Sequence, residues 1–196
     1  MSYQKYTTDA LVVGSMPRGE ADKTLMLYTR DFGLVRALAK GMREERSRLR
    51  HALQDLSLVR VSLISGKGGW RVAGVSLYES WSRRGISGAC SLARVMSLLQ
   101  KLVQGEEQNN YLYETLAGAH FALKGREDVR DEVETLCVLR LLYALGYIAP
   151  HTGDEALFQD GLYDISALAR VRTRRKEFVK IINSSFAESQ LLGQKS

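Results

Sequence analysis

Up to about residue 82, apolar positions recur at the short spacing of β-strands. Residues 10–13 (Ala-Leu-Val-Val) and 25–28 (Leu-Met-Leu-Tyr) predict two strands, the second after the polar turn Pro17-Arg-Gly19. Gly33 breaks the chain, and residues 34–39 alternate again. Across 56–64 both phases are apolar: Leu56, Leu58 and Ile64 on one, Val59, Val61 and Leu63 on the other. One face of that strand is core and the other is covered. Gly66-Lys-Gly-Gly69 makes a flexible turn, and residues 70–78 return as the partner strand. Five short strands with glycine turns predict a small closed barrel.

Beyond residue 85 the period lengthens. Leu92, Val95, Met96, Leu99, Leu102 and Val103 fall at helical intervals and end at Gly105; Leu112, Leu116, Ala119 and Leu123 end at Gly125; Val133, Leu136, Cys137, Leu139, Leu142 and Leu145 end at Gly146. Glycine after each run is the residue a left-handed helix cap prefers. An irregular stretch follows Pro150 to about 162, then a short helix over 165–170 and a last one over 173–192. The expected class is α+β, with a β-domain over 1–82 and an α-helical domain over 83–196, joined without a long linker near Arg83-Arg-Gly85.

Charge divides along the same line. The net charge is +6, but residues 1–85 hold 15 Lys/Arg against 8 Asp/Glu, while 86–196 hold 13 against 14. The positive field belongs to the β-half and points to a polyanionic partner. Cys90 and Cys137 lie far apart in apolar helical contexts and are expected as buried single thiols, with neither a disulfide framework nor a metal site. His51, His120 and His151 show no ligand spacing. Residues 1–20 lack a continuous apolar core and no run approaches ~18 apolar residues, so a cytoplasmic protein with no membrane contact is expected.

The densest charge lies between Arg36 and Arg50, where Arg36, Lys40, Arg43, Arg46, Arg48 and Arg50 face only Glu44 and Glu45. On a strand exit and its following loop, such residues can pair with successive phosphates, Arg bidentately and Lys as a mobile point charge. Arg18, Lys23, Lys67 and Arg71 extend the candidate set. Small barrels hold single strands by a basic groove with aromatic stacking, and Trp70, beside Arg71 and a glycine turn, is the best-placed ring; packing is its alternative, as it is for Tyr28 and Phe32. A second cluster, Arg170, Arg172, Arg174, Arg175 and Lys176, falls at the start of the expected last helix. Positive charge there opposes the helix dipole and suggests an external anion, a phosphate or an acidic peptide, against a solvated face. Neither Gly66-Lys-Gly-Gly69 nor the run Gly14–Gly19 completes a phosphate loop, no Gly-x-Ser-x-Gly elbow occurs, and Glu20 with Asp22 reads as turn acids bonded to Arg18, Lys23 or backbone donors. No catalytic residue and no cofactor is expected.

These residues also carry a family resemblance. Gly19-Glu-Ala-Asp-Lys23, then Leu25-x-Leu-x-Thr29-x-x-x-Gly33-x-x-Arg36-Ala-x-Ala-Lys40-Gly41-x-Arg43 and Ser47-Arg-Leu-Arg50, resemble the bacterial RecO-type recombination mediators. Leu53-Gln54, the 56–64 strand and Glu79-Ser80 continue the match, and Leu141-Leu-Tyr-Ala-Leu-Gly146-Tyr147-Ile-Ala-Pro150 is similar to the family's central helix and its exit. The resemblance implies an N-terminal five-stranded OB-fold barrel followed by an α-helical domain. It implies binding of single- and double-stranded DNA, annealing of complementary strands, and assistance to RecA loading on DNA coated by single-strand-binding protein. It also implies RecR as a partner, nucleoid association, and recognition of the acidic C-terminal tail of single-strand-binding protein by the helical part, a role that would suit residues 170–176. Many members carry a zinc module with two Cys-x-x-Cys pairs; here Pro150 leads to His151-Thr-Gly-Asp-Glu155 with no cysteine. A zinc-lacking member with a short C-terminal region is expected, without the contacts of the missing tail. The competing reading is an OB-type RNA-binding or ribosome-associated factor without annealing activity; an enzyme that modifies nucleic acid lacks a motif for a base, nucleophile or metal.

Overall fold

The computed structural model describes residues 4–81, 86–124 and 126–188. Five strands come first: β1 (Gln4–Arg18), β2 (Asp22–Thr29), β3 (Gly33–Ala39), β4 (Leu58–Gly66) and β5 (Gly69–Glu79), with a one-turn helix α1 (Arg48–Ala52) between β3 and β4. Helices α2 (Ile86–Leu102), α3 (Asn110–Leu123), α4 (Arg130–Ala144) and α5 (Ile165–Glu188) follow. Contacts group 4–81 with 104–113 into one compact unit, and 86–103 with 114–188 into another.

The strands close into a barrel in the order β1-β2-β3-β5-β4. Closure depends on β1, whose first half pairs antiparallel with β4 (Gln4↔Ser65 to Leu11↔Leu58) and whose second half pairs with β2 (Ala10↔Thr29 to Arg18↔Asp22). A bulge between Val12 and Gly14 re-aims the strand from one neighbour to the other. The ring is completed by a short parallel contact, Ala37↔Trp70 and Leu38↔Arg71. This is the OB-fold barrel of the α+β class that the resemblance implies. β1 runs well beyond the four apolar residues that announce it, because its ends are mostly exposed and carry polar residues in the backbone ladder.

Alternation places Ala10, Val12, Leu25, Leu27, Val35, Ala37, Val59, Val61, Leu63 and Val72 inside the barrel. Leu25 and Leu27 are fully buried, each contributing roughly 1.5–3 kcal/mol. Met42 and Leu53, with Leu49 of α1, join the same core. The sequence pattern did not announce α1, which is five residues of mostly Arg and His. Leu56 is not the first strand residue: it sits at φ +68 in a tight turn, its amide bonded to the Val12 carbonyl, and β4 starts at Leu58.

In the helical unit, α4 ends in a Schellman cap. Gly146 at φ +77 donates to the Tyr143 carbonyl and Tyr147 to that of Leu142. The cap expected at Gly125 and the junction at 82–85 lie outside the described residues. The two last helices of the sequence reading are present as two segments of α5 that meet at a kink at Arg174 (φ −111, ψ 19), a few residues later than the sequence places the break. Cys137 is buried as expected, but Cys90 is exposed on α2, since its position falls on the outer face of that helix.

Candidate nucleic-acid interface

The barrel sorts the basic residues into two places. Paired residues share a face, so register alone defines rows across the sheet. Ser15, Leu25, Ala37 and Trp70 form an inward row, with Leu25 and Ala37 wholly buried. The rows of opposite phase, Met16·Thr24·Leu38·Arg71 and Gly14·Met26·Arg36, are therefore outward. Arg18, paired with Asp22, continues that face. Arg36 and Arg18 are exposed, and Met16 adds an exposed apolar surface between them (48% accessible). Lys40 stands exposed just past β3, and Lys67 at the tip of the β4–β5 hairpin.

The second place is a cleft of about 510 Å³ lined by Ser15, Lys23, Met42, Arg43, Arg50, Leu53, Gln54 and Asp55. Its walls come from the β1–β2 hairpin, the turn after β3, and α1 with its exit. Lys23 Nζ donates to Ser15 Oγ at 3.3 Å. Arg43 locks the walls together: its side chain donates to the Gly19 carbonyl (2.8 Å) and its amide to that of Ala21 (2.9 Å). Asp22 accepts from the Gly41 amide at 2.8 Å, the backbone role expected of a turn acid. Arg46 and Arg48 are exposed before and on α1. The residues that the sequence left unmarked here are Ser15, Gln54 and Asp55, which acquire meaning only when the barrel brings four chain segments together.

The rings are spent on packing. Trp70 is half-buried against the core, 5.5 Å from Tyr6 and 5.1 Å from Phe32, and those two rings are 5.1 Å apart. Trp70 thus packs against two rings while staying half-exposed. Tyr28 is buried; burial first, and the nearby Glu107 second, hold its hydroxyl protonated. Exposed aromatic surface remains at Tyr78, which Arg60 covers at 5.3 Å; Arg60 and the Tyr78 hydroxyl both donate to Asp9.

The second basic cluster has partners within its own unit. Arg172 pairs with Glu132 (2.6 Å) and donates to the Asp128 carbonyl; Arg174 pairs with Asp154 (2.6 Å) and Glu177 (2.5 Å); Arg175 pairs with Asp131 (3.2 Å). Arg170 donates to the Gly153 carbonyl and lies 3.7 Å from Asp154. The run crosses the kink of α5, so Arg174, Arg175 and Lys176 stand at the start of its second segment, where the helix dipole opposes positive charge and Asp154, Glu177 and Asp131 offset it. The hydrogen bonds that Arg174 donates to Glu177 and Asp154 raise its pKa further. Lys176 is exposed. No described helix is long and apolar enough to cross a membrane.

Residues 1–80 match the family model "Recombination protein O N terminal". The DNA repair protein RecO of Heliobacterium modesticaldum is 35% identical over 147 residues, 72% of this chain and 52% of that protein. The DNA repair protein RecO of Rubrobacter xylanophilus is 30% identical over 149 residues, 72% of this chain and 58% of that one. That of Desulfitobacterium hafniense is 40% identical over 76 residues, 39% of this chain and 28% of the relative. The matched stretch thus spans about half the length of the first two relatives, or less in the third. On its N-terminal barrel and these relatives together, the chain belongs to the RecO family.

Proposed function

We propose that the chain is a non-enzymatic DNA-binding protein of recombinational repair. It binds single- and double-stranded DNA, anneals complementary strands and assists RecA loading onto DNA coated by single-strand-binding protein. The observation that supports this reading best is the distribution of cations on the barrel. Arg18, Arg36 and Arg71 share its outer face, Lys23, Arg43 and Arg50 line an adjoining cleft, and Arg46 and Arg48 stand beside it. Phosphate contacts of this kind carry no base information and give affinity with a steep salt dependence. Annealing needs no nucleophile: a cationic surface lowers the repulsion between two backbones and raises their local concentration. Residues 1–82 act as the DNA-binding domain and 83–196 as a docking module for RecR and the acidic tail of single-strand-binding protein, in a cytoplasmic, nucleoid-associated protein. With the arginines of 170–175 held by internal acids, Lys176 is the member of that cluster best placed to meet a tail.

The test is annealing of two complementary oligonucleotides, with single-strand-binding protein present, across a salt series. Acceleration that fades as salt rises is expected. Arg36→Ala with Arg48→Ala removes two exposed cations and should flatten the slope of log K against log salt by about 1.4 on single strands, at ~0.7 per phosphate. Preferential binding of RNA without annealing would replace this reading with the RNA-binding one.

A further inference from the structure

Bare phosphate contacts need only a charged surface, yet the cleft beside α1 has a floor, walls and a mixed lining. Its volume of about 510 Å³ lies within the ~300–1,000 Å³ of small-molecule clefts and is far larger than one phosphate requires. Three cations, Lys23, Arg43 and Arg50, line it together with one acid, Asp55. Met42 and Leu53 supply apolar surface at its base, and both are core residues, so the floor is rigid. Gln54 and Asp55 bring an amide and a carboxylate to the rim; both are exposed at the exit of α1. A site meant only for anions gains nothing from Asp55, whose charge opposes them.

We infer that this cleft holds one unstacked nucleotide of a bound DNA strand, phosphate on Lys23, Arg43 and Arg50, base over Met42 and Leu53, and base edge on Gln54 and Asp55. The inference rests on the DNA-binding reading and deepens it. Single-strand binders splay bases into such sites and read their edges by hydrogen bonds. A carboxylate only accepts, so Asp55 favours an exocyclic amino group, which projects from the ring, over the thymine N3–H, which stands between two carbonyl oxygens that repel a carboxylate. Adenine, cytosine and guanine carry such an amino group, and thymine offers N3–H alone. The cleft therefore introduces a base preference into an otherwise sequence-independent interface. Arg43 is anchored to the Gly19 carbonyl on one donor only, which leaves the rest of its guanidinium for the phosphate.

The test uses the full chain, ¹⁵N-labelled, titrated separately with the four deoxynucleoside monophosphates and with inorganic phosphate. A 20-residue single strand of mixed sequence is titrated in parallel. Expected are shifts of the Gln54 and Asp55 amides by the monophosphates, weaker shifts by phosphate, and dTMP binding at least about fivefold more weakly than dAMP, dCMP or dGMP. Asp55→Ala should erase that difference while raising the affinity for inorganic phosphate, and Arg50→Ala should weaken all four nucleotides alike. Inorganic phosphate binding as tightly as the nucleotides, or a dTMP deficit that survives Asp55→Ala, overturns the inference. Oligonucleotide binding with no mononucleotide shift at the cleft also overturns it and leaves DNA binding intact. Mononucleotide shifts with no oligonucleotide binding sink the DNA-binding reading and the inference with it, and leave a cleft for free nucleotides.

Discussion

Arg140 is the most consequential buried polar side chain in the helical unit, and replacing it with Met gives a direct measure of what it holds. It sits on α4 at 1% exposure and reaches into the irregular stretch after Pro150, which carries no cysteine and little regular structure. Nε donates to the Leu157 carbonyl at 2.6 Å and Nη1 to that of Leu162 at 2.7 Å. The guanidinium lies 4.9 Å from the Tyr163 ring, and Nη2 is 3.8 Å from Asp160. Met has similar bulk and no donors, so the Leu157 carbonyl would be left buried and unpaired, at about 1–3 kcal/mol. The partly buried Leu162 carbonyl adds roughly 1 kcal/mol. Loss of the ring contact adds about 0.5–2 kcal/mol. Asp160 is 56% exposed and regains water, so its share is close to zero. The expected loss is about 2.5–6 kcal/mol, read as a lower urea midpoint for the helical circular dichroism signal. Amides of 154–163 should lose hydrogen-exchange protection ahead of α4 itself. A control, Asp160→Asn, should shift the midpoint by less than about 1 kcal/mol. The desolvation of a buried charge runs the other way, and in some proteins it outweighs the bonds it makes. An Arg140→Met protein as stable as the parent, with 154–163 still protected, would falsify the assignment of Arg140 as the anchor of this stretch.

Two further outcomes follow from the barrel. Gly33 has φ +61, and a Cβ there would stand 2.1 Å from the Glu107 carbonyl oxygen, whereas Gly19 has φ +65 with open space around it. Gly33→Ala should therefore cost the left-handed penalty of about 1–2 kcal/mol plus about 1–3 kcal/mol for displacing the 107 backbone, and Gly19→Ala the first part alone; equal urea midpoints for the two variants would remove the close approach. At Asp9, burial opposes ionisation, but hydrogen bonds from Arg60 and Tyr78 outweigh it and hold its pKa below the usual 3.8. A depressed carboxylate contributes stability above its unfolded pKa and loses it as pH falls through the folded one. Asp9→Asn should thus destabilise the barrel at pH 7, with the gap to the parent closing below about pH 4; a gap that persists at pH 2 contradicts this.

What the sequence made legible is local. Strand alternation at 34–39 placed β3, because one buried face imposes a period of two on any chain that forms it, and the glycine turn at 66–69 placed β5 as the partner of the strand before it. β1 was visible only over its buried centre, since residues that pair through backbone at an exposed end leave no apolar mark. α1 was invisible because a single turn gives no period, and only Leu49 and Leu53 hint at its inward side. Trp70 looked available beside its glycine turn, and what fills its surroundings, Tyr6 and Phe32, comes from two other chain segments. The cleft failed to show for the same reason: Ser15, Lys23, Arg43 and Gln54 meet only after the barrel closes.

The same distinction decides where the positive charge can act. A run of five basic residues at 170–176 reads as an anion site as plainly as the run at 36–50 does. The acids that neutralise it, Asp131, Glu132 and Asp154, lie 20 to 44 residues upstream and meet it only through packing of α4 and the following stretch against α5. Arg94 is met in the same way by Glu134 at 2.5 Å. In the barrel the balance differs at its source. Residues 1–85 have 8 acids for 15 bases, and Asp9 is taken by Arg60 and Asp22 by the Gly41 amide. Folding therefore pairs the arginines of the basic run in the helical unit with acids, while the barrel keeps its excess of bases; on the proposed DNA-binding reading a polyanion meets the strand faces and cleft rather than that run. Affinity for single strands should consequently track charge changes at Arg36, Arg48 and Arg50 and stay unmoved by Arg172→Ala, whose effect should be on stability alone; a binding loss in Arg172→Ala at full fold content would place the field elsewhere.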